Sequence, residues 1–281
     1  MAEITVALIK ELRERTGCGM MDAKRALEEF GGDVEKAIDE LRKKGEVKAA
    51  KRAGRETAEG KVAIAMAGGG KQAALISLST ETDFTANNDE FKKLVQGIAE
   101  AAVAGQGDIA ELKHPQGGTV ADAIKALVAK TGENMQLGRS SLMKIDGDGF
   151  FGSYIHSDGK LGVLVKITGG KGTSDAEKAL AKDIAMHVAA TNPVGLTQAD
   201  VPADVIAREK EIALEQAKQS GKPANIQEKI AEGKVSAYFK ENTLLAQPFV
   251  KDPSVNVEQH VKNTGAGLKL AAFARIKVGE A

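Results

Sequence analysis

Lys61-Val62-Ala63-Ile64-Ala65-Met66, then Ala67-Gly68-Gly69-Gly70-Lys71, then Gln72-Ala73-Ala74-Leu75-Ile76-Ser77-Leu78 is the stretch at which the hydrophobic period of the chain changes. Apolar residues before it recur at helical spacing, whereas here two apolar-rich runs flank a triple glycine. Glycine reaches the backbone angles of a tight reversal at little steric cost, so the pattern predicts a β-hairpin. An amphipathic helix follows, from Phe91 through Ala104.

The same unit recurs downstream. Gly152-Ser153-Tyr154-Ile155-His156, then Asp158-Gly159, then Lys160 to Ile167 reads as another hairpin, and Ala179 to Ala190 as another helix. Leu94 and Ile98-Ala99 correspond to Leu180 and Ile184-Ala185, and Val103-Ala104 to Ala189-Ala190. This is an internal duplication of a small α+β unit, with roughly 90 residues between copies. Two copies are too few for a solenoid and predict two related subdomains with antiparallel sheets, packed side by side.

Working outward, residues 1–45 predict three short helices. Leu8, Ile9 and Leu12 form a stripe after Thr5, and Met20, Ala23, Leu27 and Phe30 form a second. Asp33 caps a third segment, in which Val34, Ala37, Ile38 and Leu41 repeat at i, i+3, i+4 and i+7. A bundle this small has little core, and such modules usually present a face to a partner. The run Arg42 to Arg55 carries seven basic residues and one acidic residue. It reads as a solvated linker helix or as a nucleic-acid patch, and the lack of interleaved aromatics favours the linker.

Toward the C-terminus, Pro202 to Lys218 and Ile226 to Lys240 predict two charged helices joined by a turn at Ser220-Gly221-Lys222-Pro223. They form an antiparallel hairpin inserted at about 200–242. Gln247-Pro248-Phe249-Val250 re-enters the core, and Leu270 to Val278 supplies a terminal strand. The expected divisions are 1–55, 56–145 and 146–281.

Composition excludes several functions. The 39 basic and 39 acidic residues cancel, and aromatic residues are 4% of the chain with no Trp. No whole-molecule field and few stacking rings are then available to nucleic acid, so no direct nucleic-acid partner is expected. A 42% hydrophobic and 28% charged composition fits a soluble globular core. Cys18 is the only cysteine, which fits a reducing cytosol, and a cytoplasmic location is expected. Met1-Ala2-Glu3-Ile4-Thr5 lacks the basic and apolar regions of a leader, and no apolar run reaches the roughly 18 residues of a membrane span.

Reaction chemistry is equally hard to find. Gly70-Lys71 and Gly170-Lys171 imitate the end of a phosphate-binding loop, but Gln72 and Gly172 occupy the position that needs a hydroxyl, and hairpin turns account for both. His114, His156, His187 and His260 show no metal-ligand spacing, and nothing activates Cys18. No metal, cofactor or catalytic residue is expected. An RNA-associated or scaffold protein, using the basic run and the helical hairpin, and a small-molecule enzyme remain as alternatives on residues alone.

The segment Thr80-Glu81-Thr82-Asp83-Phe84-Thr85-Ala86-Asn87-Asn88-Asp89-Glu90-Phe91 stands out. A large ring in a polar strand-to-helix loop either folds into its own core or anchors in another protein's pocket, and composition alone favours the core. Its carboxylates do not follow the spacing of a calcium-binding EF-hand.

MAEITVALIKELRERTGCGMMDAKRAL at residues 1–27, TETDFTANNDEF at 80–91, IAMHVAATNP at 184–193 and QPFV at 247–250 together resemble the bacterial elongation factor Ts family. The order of the motifs is preserved along the chain. The resemblance implies a ubiquitin-associated-like N-terminal bundle, two related core subdomains and a protruding helical hairpin. It also implies a non-enzymatic nucleotide exchange factor for the GTPase elongation factor Tu. On that basis Thr82, Asp83, Phe84 and Thr85 match the motif that enters the GTPase near its nucleotide, with Phe84 as a wedge that disturbs magnesium and phosphate contacts and Asp83 as a polar neighbour. Lys24, in a matching basic helix of the bundle, and His156 and Val250 of the C-terminal subdomain match further contact positions. Thr131-Gly132 departs from the Ile-Gly common in the family. The chain stops at Gly279-Glu280-Ala281, so the extra C-terminal helical module of some members is not expected.

Overall fold

The computed structural model describes residues 4–16, 18–41, 43, 54–219 and 223–280. The period change at Lys61 becomes strand β1, Glu59–Ala67, paired antiparallel with β2, Gln72–Thr80. Ala67 pairs with Gln72, so the triple glycine is the turn, with φ of 60°, 63° and 82° at Gly68, Gly69 and Gly70. A third strand, β3 (Met135–Lys144), closes a sheet of order β1-β2-β3. In the second unit β4 (Gly149–Ile155) and β5 (Leu161–Thr168) form the hairpin, and β8 (Lys269–Lys277) returns beside β5.

Helix α5 (Asp89–Ala104) follows the first hairpin and α7 (Asp175–Thr191) the second. Each unit is thus a hairpin, a helix and a strand that comes back against the hairpin's second strand. Within the second unit, the insertion contains α8 (Ala203–Lys218) and α9 (Ala224–Asn242), which pack on each other with Ala213, Ala217 and Ala231 buried. A small ribbon of β6 (Pro248–Phe249) and β7 (Asp252–Asn256), then α10 (Val257–Thr264), lead into β8.

The packing explains why β2 and β5 are so apolar. Ala74, Ile76 and Leu78 join Phe91, Leu94 and Ile98 in a core between the first sheet and α5. Val163, Val165 and Ile167 join Leu180 and Ile184 in the equivalent core under α7. The residues between them face the other way: Ala73, Leu75 and Val62 meet Leu164 and Ile276 where the two sheets pack face to face. Four layers result, in the order α5, sheet, sheet, α7. A strand buried on both faces alternates between two cores rather than between core and water.

Gly162 sets how closely the sheets approach. A Cβ there would lie 2.7 Å from Cδ1 of Leu75 and 2.9 Å from Cγ2 of Val62. The halves are also stitched by backbone, since the Val62 amide donates to the Gly159 carbonyl at 2.8 Å.

The N-terminal bundle comprises α1 (Val6–Thr16), α2 (Met20–Glu29) and α3 (34–41). Leu12, Ala23, Ala26, Leu27, Ala37 and Ile38 are its buried centre, flanked by Leu8, Ile9, Val34 and Leu41. Thr5 caps α1, its hydroxyl oxygen accepting from the Leu8 amide at 3.3 Å, and Asp33 caps α3, its carboxylate accepting from the Lys36 amide at 3.1 Å.

Several expectations change. Met20 is exposed rather than part of the α2 stripe, because Ala23, Ala26 and Leu27 carry the packing one turn further in. Gly170-Lys171 lies between β5 and α7, so it is a strand-to-helix loop and not a hairpin turn. Between Ala104 and Gly152, where the hydrophobic pattern predicts no element, lie α6 (Val120–Thr131) and β3. Of the basic run Arg42 to Arg55, Arg42 and Lys44 to Ala53 fall outside the described residues, as do the turn residues Ser220, Gly221 and Lys222.

Replacing Gly162 with Ala is expected to destabilise the protein by about 1–3 kcal/mol through overpacking between the sheets. Urea unfolding with an unchanged slope and a lower midpoint checks this.

Candidate docking site

The Thr82–Thr85 segment sits at the end of β2, where the chain must leave the sheet and start α5. It does so through a five-residue helical turn, α4 (Asp83–Asn87). Thr82 is its N-cap, the hydroxyl oxygen accepting from the Thr85 amide at 3.3 Å. Asn88 ends α4 and caps α5, accepting from the Glu90 amide at 2.8 Å. With both ends capped, only one face of the turn can go inward. Thr85 and Ala86 take that face, 9% and 1% exposed.

Phe84 therefore points outward and is 86% exposed, which overturns the compositional preference for a core ring. Seven positions on, Phe91 is fully buried between α5 and the sheet. The two rings show the two fates open to this segment.

A residue not anticipated from the sequence lies beneath the turn. Glu133 follows Gly132, the left-handed C-cap of α6 at φ 79°. Its carboxylate accepts from Thr80 Oγ1 at 2.9 Å, from the Thr82 amide at 3.0 Å and from Thr82 Oγ1 at 2.7 Å. Burial acts to raise its pKa, but the hydroxyls of Thr82, Thr85 and Thr80 and the Thr82 amide outweigh burial and hold it below the ordinary value. Beside it, the Asn134 amide donates to Glu81 at 2.6 Å and the Asn134 side chain donates to the Arg55 carbonyl at 2.8 Å.

His156 is brought near this end. It opens the β4–β5 turn and is exposed, its Nδ1 3.0 Å from the Tyr154 hydroxyl. The turn's last residue, Lys160, bonds Glu59 at 2.8 Å, and Glu59 pairs with Thr80 in the first sheet. That bond to Glu59 holds the Lys160 ammonium above its ordinary pKa, with Asp158 and then Asp83 adding attraction.

Lys24 and Val250 belong to other elements. Lys24 is exposed on α2 and pairs with Glu28 at 3.7 Å. That helix carries Asp22, Glu28 and Glu29 against Lys24 and Arg25, so it is not the basic helix expected. Val250 is 47% exposed just beyond β6. Its amide donates to Nδ1 of buried His187 at 3.3 Å, and Nε2 of His187 lies 2.9 Å from Oε1 of Gln247. An accepting Nδ1 leaves the proton on Nε2, so the ring is neutral and donates to Gln247. Burial lowers the His187 pKa in keeping with this.

Among the described residues no group of His, Cys, Asp and Glu could hold a metal, and no helix is long and apolar enough to cross a membrane. The family described as Elongation factor TS matches residues 81–280. A relative named elongation factor Ts from Alcanivorax borkumensis is 48% identical over 277 residues, 97% of this chain and 93% of its own length. Another from Nitratidesulfovibrio vulgaris is 45% identical over 284 residues, 99% and 96% of the two chains. One from Xanthobacter autotrophicus is 47% identical over 295 residues, 100% and 94% of the two chains. The chain belongs to the elongation factor Ts family, a family of translation elongation factors.

Two measurements follow. Phe91→Ala is expected to cost about 3–5 kcal/mol of stability, whereas Phe84→Ala leaves the melting temperature of the free protein within about a degree or two of wild type, as for a surface change. Burial lowers the pKa of both His187 and His114, so the unfolded chain takes up their protons first as pH falls. Their contribution is complete above about pH 6.5 and declines as pH drops toward the lowered folded values. Chemical denaturation at pH 7.5 and 5.5 is expected to give the lower stability at pH 5.5.

Proposed function

We propose that this chain is a guanine nucleotide exchange factor that binds GDP-bound elongation factor Tu and promotes GDP release so that GTP can bind. The observation that supports this most directly is Phe84, an almost fully exposed ring on a doubly capped turn within an elongation factor Ts family motif. A hydrophobic ring held in water contributes little to its own fold and gains most of its burial when a partner covers it.

In this reading Phe84 wedges into the GTPase near its nucleotide site, with Asp83 as the adjacent polar contact. Thr82 and Thr85 shape the turn. Magnesium is the strongest local charge at such a site, so moving its ligands loosens the diphosphate. Nucleotide and exchange factor then weaken each other's binding by the same factor through a ternary complex, and no bond of the substrate is broken. The protein needs no cofactor and acts in the cytoplasm without contacting nucleic acid or membrane.

Lys24 of the bundle, His156 and Val250 are further contacts in the same reading. Residues 1–55, 56–145 and 146–281 then act as three units, the last carrying the helical hairpin. His156 and Phe84, at one end of the sandwich, approach the partner together.

Release of fluorescent GDP from purified elongation factor Tu, with and without this protein, tests the proposal. Release is expected to accelerate in its presence. Phe84→Ala is expected to lower the exchange efficiency about tenfold or more, and Asp83→Ala to lower it less. Unchanged release with the Phe84 variant would remove the wedge.

A further inference from the structure

A ring that docks from a flexible loop must be ordered at the moment of docking, and that ordering subtracts from the binding free energy. The turn that carries Phe84 is short, and its own two caps fix its ends but not its tilt against the sheet. What fixes the tilt comes from a segment about fifty residues later in the chain, where α6 ends and β3 has not yet begun.

Gly132 takes the left-handed conformation that ends α6 and turns Glu133 back toward the end of β2. One carboxylate oxygen accepts from Thr80 Oγ1 at 2.9 Å and from the Thr82 amide at 3.0 Å, and the other accepts from Thr82 Oγ1 at 2.7 Å. Thr82 Oγ1, with its own proton directed to Glu133, accepts from the Thr85 amide at 3.3 Å. A relay therefore runs from Glu133 through Thr82 to Thr85, and Phe84 lies within the loop it closes. Thr80, its anchor in the sheet, is fully buried. The Asn134 amide grips Glu81 at 2.6 Å, so two consecutive residues hold three consecutive residues of the strand end.

We propose that Glu133 is a positioning residue for exchange: its carboxylate holds the Thr82–Thr85 turn, before any partner arrives, in the conformation that points Phe84 outward. This rests on the reading of Phe84 as the wedge. A carboxylate suits the task because it is acceptor-only and meets the hydroxyls of Thr80, Thr82 and Thr85 and the Thr82 amide, whereas an amide of the same size turns an N–H toward one of them. In this proposal Glu133 acts through the turn and not by contact with the partner or the nucleotide. Its effect is carried by the ring.

The chain has no Trp, so Phe84→Trp introduces a single fluorescent reporter at the ring position. Time-resolved anisotropy of that reporter in the free protein, with Glu133 intact and with Glu133→Gln, measures the order of the turn without any GTPase. The residual anisotropy is expected to fall with Glu133→Gln. In chains that keep Phe84, Glu133→Gln is expected to raise the concentration for half-maximal GDP release about tenfold while the rate at saturation stays near wild type, because a pre-ordering loss is recovered once the ring is docked. Thr82→Val is expected to act in the same direction, and the double variant to be little worse than either single one, since both break one relay.

Unchanged anisotropy, even with a lower melting temperature, would make Glu133 a structural residue only and overturn the proposal. So would unchanged half-saturation. If Glu133→Gln does not fold, Thr82→Val with the same reporter decides between the same outcomes. If the wild-type protein does not accelerate GDP release from elongation factor Tu, the wedge reading falls, and the anisotropy comparison still decides whether Glu133 orders the turn.

Discussion

Face-to-face packing of the two sheets is the constraint on which the rest of the molecule depends. Neither three-stranded sheet has a complete core by itself: each covers one face with a helix and leaves the other to its counterpart. Leu75 and Leu164, from the central strands, fill the shared layer, and Gly162 lets Leu75 and Val62 come close enough to do so. Mutual coverage is also what aligns the ends of the two hairpins, and with them the Phe84 turn and the His156 turn.

The duplicated hairpin-and-helix unit was legible because its signals are local. A triple glycine between two apolar runs, and helices with matching Leu and Ile-Ala positions, report hairpins and their covering helices without reference to the rest of the chain. The third strands differ. The terminal strand was legible through Leu270, Phe273, Ile276 and Val278, but β3 carries Arg139, Ser140 and Ser141 in its middle and has most residues exposed. It belongs to the sheet through its ladder with β2 rather than through apolar content. Helix α6 did carry readable signals, since Thr119 and Asp122 form a capping box and Gly132 ends it, yet its modest apolar stripe lies on the margin of the core.

The site was legible in part. The motif at Thr82 to Thr85 singled out the proposed segment, but the orientation of Phe84 did not follow from composition, which favours burying a ring. Orientation is decided by Thr85 and Ala86 filling the inner face and by Thr82 capping the turn, and both depend on where β2 stops. Glu133 was beyond reach for a different reason. Its bonds to Thr80 and Thr82 join residues more than fifty positions apart, a separation at which one glutamate looks like any other.

The join between the halves has a mechanical side. In the proposed reading the Phe84 ring is pressed into another protein and is pressed back with equal force, and that load must run into something stiff. From the Phe84 turn it passes along β2 into the first sheet, and through the Thr80–Glu59 pair and the Glu59–Lys160 bridge into the second, with the Val62 to Gly159 bond as a parallel strut. The load is therefore shared by both sheets at the end where it arrives. The N-terminal bundle and the α8–α9 hairpin lie off that path.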